Sequence, residues 1–193
     1  MNEEPECDGE WTLYDYLSNQ RDVDETEVEI LHCDITLLDV DAIVNAANQF
    51  LEAGGGVDGA IHAAAGPKLQ IECSLLGGCP TGQAKLTKGY NLPARYVIHT
   101  AGPRWFGGHM QEEELLASCY REAFRIAEEK EFDSVAFPAL ATGIFGFPVE
   151  RATQIAFEET ARFMERNARV KRIIFACIDP AVLEVYLRLN PFT

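Results

Sequence analysis

Two glycine-rich segments hold the residues best suited to chemistry. The first, NAANQFLEAGGGVDGAIHAAAG, runs from Asn45 to Gly66; the second, ATGIFGFP, runs from Ala141 to Pro148. Each follows a β-branched apolar run and leads into a segment of helical periodicity, so each reads as a strand-to-helix loop. Glycine lets the backbone approach a ligand closely and lets successive N–H groups converge on phosphate oxygens. One such cluster is an ordinary turn, but two at equivalent junctions can grip a diphosphate from both sides. Asp58 stands where the first loop enters its helix, a position for a capping carboxylate or for a group that handles protons beside a ligand. His62 follows four residues later on the same helix face and reads first as a structural histidine. Asp34, in Cys-Asp-Ile-Thr, has the setting of a turn or helix-capping carboxylate, Asn48 that of a loop asparagine satisfying backbone groups, and Asn45 that of a structural residue bracing the loop.

Several other chemistries are disfavoured. Gly54, Gly56 and Gly59 match the spacing of a dinucleotide-binding fingerprint, but the preceding strand ends near Ala47 and Pro67–Gly78 continues as helix, against a Rossmann reading. Neither loop is followed by a Walker lysine. No serine elbow or cysteine–histidine pair is visible, which disfavours covalent catalysis. Cys7, Cys33, Cys73, Cys79, Cys119 and Cys177 show no Cys-x-x-Cys spacing, and His32, His62, His99 and His109 show no i, i+4 pairing. Free thiols are expected, no metal and no cofactor; a metal site would have to be assembled from distant parts of the chain.

The elements that must position the two loops alternate along the chain. Candidate strands are residues 27–32, 42–47, 84–89, 96–101, 134–139 and 172–177. Most are apolar enough to be buried on both faces. Between them, Leu116, Tyr120, Ala123, Phe124 and Ala127 share one helix face; Val149, Ala152, Ile155, Ala156, Phe163 and Met164 share another; Val182, Val185, Tyr186 and Leu189 share a third. This alternation predicts an α/β fold in three layers, with a mixed, mostly parallel sheet of about six strands covered by helices on both sides. Ligands in such sheets bind beyond the strand carboxyl ends.

The 193 residues, 47% of them apolar, suit one full-sized core. Residues 1–25 are read as an acidic extension with one short docking helix around Trp11–Leu17, and 26–193 as a single domain. Net charge is 16 − 31 = −15, of which residues 1–27, with ten acids against one arginine, supply −9. That balance argues against a nucleic-acid duplex, whose phosphates need a basic face. It leaves a nucleotide open, because backbone amides can hold a diphosphate without lysine. No apolar run nears the roughly 20 residues of a membrane span and no signal sequence opens the chain, so a soluble, cytoplasmic monomer is expected.

The runs CDITLLDVDAIVNAANQFLEAGGGVDGAIHAAAG, CPTGQAKLTKGYNLPARYVIHTAGP, FPALATGIFGFP and FACID, in that order, resemble the macrodomain family over about Val28 to Leu189. GGGVDGAIH with NAAN upstream resembles the MacroD-type branch of bacterial ADP-ribosyl and O-acetyl-ADP-ribose hydrolases. The resemblance implies an ADP-ribose ligand, with ADP-ribosylated proteins or O-acetyl-ADP-ribose as partners. By the same resemblance Asp34 accepts a hydrogen bond from the adenine amine, with Ile35 beside it. Asn48 meets the distal ribose, and Asp58 positions or deprotonates the attacking water. Ala47, Gly55, Gly56 and Val57 line the ligand from the first loop. Thr142, Gly143, Ile144, Phe145 and Gly146 do so from the second, and Phe147 corresponds to the aromatic on the distal ribose. Two positions depart from the family pattern: Ala141 replaces a common serine, and Ile178 stands where relatives carry an aromatic stacked on adenine. The implied activity is ester hydrolysis at the distal ribose; the alternative is a reader module that binds ADP-ribose without turning it over.

Overall fold

The computed structural model describes residues 26–166 and 169–192; the acidic extension at 1–25 and its expected helix lie outside them. Six strands form one sheet: β1 (Glu27–Leu31), β2 (Ala42–Ala47), β3 (Ala84–Lys88), β4 (Tyr96–Ala101), β5 (Ser134–Pro138) and β6 (Arg172–Ala176). Their order is β1-β6-β5-β2-β4-β3, parallel throughout except for the antiparallel edge strand β3. The helices are α1 (Gly56–Ala65), α2 (Pro67–Leu75), α3 (Glu112–Glu129), α4 (Val149–Met164) and α5 (Pro180–Leu189), with a short 3-10 turn at Ile35–Leu37. The expected three-layer α/β architecture is therefore the observed one.

Strand alternation divides the interior into two cores. Val44, Ile98, Val135, Phe137, Ile173 and Phe175 face the layer of α3, α4 and α5, while Ile43, Val97, Ala136 and Ile174 face α1 and α2. Because both faces are covered, the strands read as nearly continuous apolar runs rather than alternating ones. The first core is built on aromatic contacts: Phe124 stacks on Phe163 at 4.1 Å between ring centres, and Phe157 meets Phe175 and Tyr186 edge-on. Removing one such buried ring costs about 3–5 kcal/mol.

The second core holds a cluster of buried polar side chains around Asn45 and His99. Asn45 of β2 and His99 of β4 are partners in the parallel register and both are fully buried on the face beneath α1 and α2. There they meet Asp58 and His62 from α1, Cys73 from α2 and Thr87 from β3. His62, Cys73 and His99 bring their ligand atoms within 4.8 Å of one another, the kind of long-range grouping that sequence spacing does not display. Two of the three have other ties: His99 Nε2 lies 2.9 Å from Thr87 Oγ1, and burial, with the charges of Asp58 and Glu72, pushes the Cys73 thiol up to about 11.

Burial, helped by His62, holds His99 down to about 3 against its ordinary 6.5. The unfolded ring thus takes up its proton first as pH falls, so this contribution is complete above about pH 6.5 and is lost progressively toward 3. Urea unfolding should show a loss on the order of 2–3 kcal/mol from this site between about pH 7 and 4.5. His99→Asn is expected to flatten that acid limb; an unaltered limb would show that other groups carry it.

Candidate functional site

The carboxyl ends of β2 and β5, adjacent in the sheet, release the two glycine loops side by side. Between them lies a cleft of about 630 Å³, the scale of a small-molecule site. A β-carbon at Gly55 would lie 3.7 Å from Ile144 Cδ1, so the loops approach each other closely across it.

The first loop is stitched into shape by side chains. Asn48 donates from Nδ2 to the Glu52 carbonyl at 2.5 Å and accepts at Oδ1 from the amides of Phe50 and Glu52. Gln70 of α2 accepts from the Ala53 amide and donates to the Leu51 carbonyl, at 2.8 and 3.1 Å. These bonds support Leu51 at φ 58°, a conformation uncommon for a side chain of that size. Nothing in the sequence singled out Gln70, since a lone glutamine in a helix carries no local signature.

Asp58 belongs to the first turn of α1, whose N-cap is Gly55, so the helix begins before Asp58 rather than at it and the aspartate does not cap it. It is 4% exposed. Its Oδ1 accepts from Asn45 Nδ2 at 2.6 Å and its Oδ2 from the Gly54 amide at 2.5 Å, while His62 Nε2 stands 3.6 Å from Oδ1, beyond a hydrogen bond. A carboxylate has about four acceptor positions, so two remain for a ligand or water. Asn45 Oδ1 is buried without a partner, a cost of about 1–3 kcal/mol, so the amide is oriented for its nitrogen rather than its oxygen.

The second loop folds on itself through Gly146 N to Gly143 O at 2.9 Å and Phe147 N to Ala141 O at 3.1 Å. Ala141 takes φ 62°, where an L side chain is disfavoured and glycine or asparagine is at ease. Among the described residues, the amides of Thr142, Gly143 and Ile144, like those of Gly55, Gly56 and Val57 opposite, donate to no protein acceptor. Six such N–H groups on the two loops that line the cleft, three of them at a helix start, are the kind of donors that can hold an anion.

At the other end Cys33, Asp34, Ile35, Ile178 and Val182 line the cleft. Asp34 accepts at Oδ1 from the Thr36 amide and hydroxyl, capping the 3-10 turn; its Oδ2 makes neither bond. Ile178 is 69% exposed, an uncovered apolar wall.

Of the residues expected at the ligand, Asp34, Ile35, Ala47, Asn48, Gly55, Gly56, Val57, Asp58, Thr142, Gly143, Ile144, Phe145 and Ile178 all line the cleft. Gly146 and Phe147 do not. Phe147 is 2% exposed and packs on Trp105 at 4.5 Å, inside the first core, so the aromatic that faces the cleft is Phe145. Gly146, at φ 69°, lies between the two rings, and a linear motif does not reveal that Phe147 turns into the core. Phe145 is backed by the Arg104 guanidinium, 5.5 Å from its ring centre, and by the Trp105 amide on its carbonyl.

Residues 44–156 match the family described as Macro domain. A macro domain-containing protein of Mesorhizobium japonicum is 54% identical over 155 residues, 80% of this chain and 88% of its own. The O-acetyl-ADP-ribose deacetylase of Salmonella newport is 46% identical over 168 residues, 85% of this chain and 94% of its own. The Trypanosoma brucei macrodomain solved in complex with ADP-ribose superposes with a TM-score of 0.80 at 40% identity, over 87% of this chain and 71% of its own. With its six-stranded sheet, paired glycine loops and body-length similarity to these proteins, the chain belongs to the macro domain family.

Proposed function

We propose that the chain binds ADP-ribose in this cleft and hydrolyses an ester on its distal ribose, either an O-acetyl group or the link to an acidic protein side chain. The six unsatisfied amides on the two loops that line the cleft carry this reading, because a diphosphate offers acceptor oxygens that donors on both loops can share. Adenine then lies toward Asp34 and Ile178, and the distal ribose toward Asn48, Asp58 and Phe145. The relatives named as O-acetyl-ADP-ribose deacetylases support the enzymatic form of the reading.

In the proposed reaction a water held by a free acceptor position of Asp58, with a substrate phosphate oxygen nearby, attacks the acyl carbon. The acyl–oxygen bond to the ribose breaks, the ribose oxygen takes a proton, and ADP-ribose and a carboxylic acid leave. Asp58 is fixed at both oxygens, so it acts mainly by positioning the water and accepting its proton. Asn48 reaches the ribose only by exchanging part of its bonding to residues 50 and 52 for ribose hydroxyls.

The decisive assay is incubation with O-acetyl-ADP-ribose and with a Glu-ADP-ribosylated protein, followed by detection of free ADP-ribose. Release from neither leaves a reader module as the function. Asp58→Asn is expected to keep ADP-ribose affinity within about threefold while slowing turnover by about 100-fold or more; full activity in that variant removes Asp58 from the mechanism. Stacking on an aromatic is worth about 1–3 kcal/mol, so Ile178→Tyr should tighten ADP-ribose binding at least fivefold by calorimetry. Unchanged affinity would move adenine away from Ile178.

A further inference from the structure

The carboxylate proposed to handle water is itself held by a buried chain of hydrogen bonds running back to the edge of the sheet. Asn45 Nδ2 lies 2.6 Å from Asp58 Oδ1 and 3.1 Å from His99 Nδ1. An amide nitrogen has two hydrogens and accepts nothing, so His99 Nδ1 must be the acceptor. The one proton of the neutral ring then sits on Nε2 and is donated to Thr87 Oγ1 at 2.9 Å, whose own hydrogen goes to the Lys88 carbonyl at 3.2 Å. Thr87, His99, Asn45 and Asp58 are all at most 4% exposed, so water has little access to replace any of these bonds.

The chain has a single consistent polarity. If the Asn45 amide turned over, its oxygen would face both a carboxylate oxygen and an imidazole lone pair. If the ring carried its proton on Nδ1, that oxygen would be drawn to the ring and Asp58 would lose its donor. Thr87 opposes this by taking the proton at Nε2. The neighbours on the other side are compatible: the Cys73 Sγ stands 3.7 Å from Nε2, and burial holds the histidine ring neutral across ordinary assay conditions. His62 offers no substitute, since its Nε2 makes no hydrogen bond and lies 3.6 Å from Asp58.

We infer that His99 is a positioning residue: through the lone pair on Nδ1 it fixes the Asn45 amide, and through Asn45 it fixes the orientation of Asp58. It does not line the cleft. Its consequence for turnover rests on the hydrolase reading above, whereas its hold on Asp58 does not.

Two variants separate the acceptor from the bulk of the ring. His99→Leu fills the space without an acceptor; His99→Asn places an oxygen near the position of Nδ1. With O-acetyl-ADP-ribose, His99→Leu is expected to lower kcat at least tenfold with KM within about threefold, and His99→Asn to recover most of the loss. In an Asp58→Asn background His99→Leu should add nothing, because the group it positions is already gone. Equal losses in Leu and Asn variants, or an additive loss in that background, would overturn the inference. A readout without turnover is the NMR signal of the Gly54 amide, which donates to the second oxygen of Asp58. Its shift and exchange rate should change in His99→Leu and return in His99→Asn. A Gly54 signal identical in all three proteins rejects the inference even if the enzyme proves active, and a changed signal sustains it even if no substrate is turned over. Should His99→Leu not fold, Thr87→Val, which deprives Nε2–H of its acceptor, is expected to shift the same signal; no shift there counts equally against it.

Discussion

The parallel pairing of β2 with β5 is the constraint on which the cleft depends. Chain leaving β2 turns through α1 and α2 toward β3 and β4 on one side, while chain leaving β5 turns through α4 toward β6 on the other. The loops beyond these two carboxyl ends therefore diverge in their onward paths but start side by side. Their opening sits where open α/β sheets bind ligands. Short hydrogen-bonded strands fix the loop origins, and Asn48, Gln70 and Asp58 on one side, with the Ala141 and Gly146 turns on the other, fix what happens a few residues later. Unsatisfied amides are tolerable there because the cleft is open to water, which can serve them until a ligand does.

An acidic protein can host an anion because the donors are dipoles rather than charges. Much of the formal −15 is carried by the N-terminal segment, and surface arginines such as Arg151 and Arg125 are engaged with glutamates on their own helices or the next. Local N–H groups act at hydrogen-bond range, where geometry decides. Distant surface charge acts through water and salt and is screened over about 8–10 Å.

How much of this was legible in the sequence follows from the range of each interaction. Strands β2 and β4 coincide with their apolar runs, and the other four end one residue earlier than expected, where the chain turns out of the ladder. Those runs are encoded locally by residues that bury on both faces. The cleft-lining set was legible from the two loop motifs together with the family resemblance. That Phe147 turns away from the cleft, leaving Phe145 as its aromatic, was not, because the ring is held in the core against Trp105, a residue far off in the chain. Nor was the pairing of Asn45 with His99, fifty-four residues apart, visible before the register of β2 and β4 was known.

That pairing also explains why Asn45 and Asn48, three residues apart in one motif, have different work. Asn45 lies within β2, where its side chain points under α1 and is compelled to find partners in the core. Asn48 lies one residue beyond the strand, where its amide shapes the loop at the edge of the cleft and can trade those bonds for others. A buried amide bonded to a neutral imidazole and a carboxylate cannot make such trades without leaving donors or acceptors unmatched in a low-dielectric interior. Rigidity in the buried half and adaptability in the exposed half are thus two outcomes of one side-chain chemistry, separated by whether water can compete for the bond.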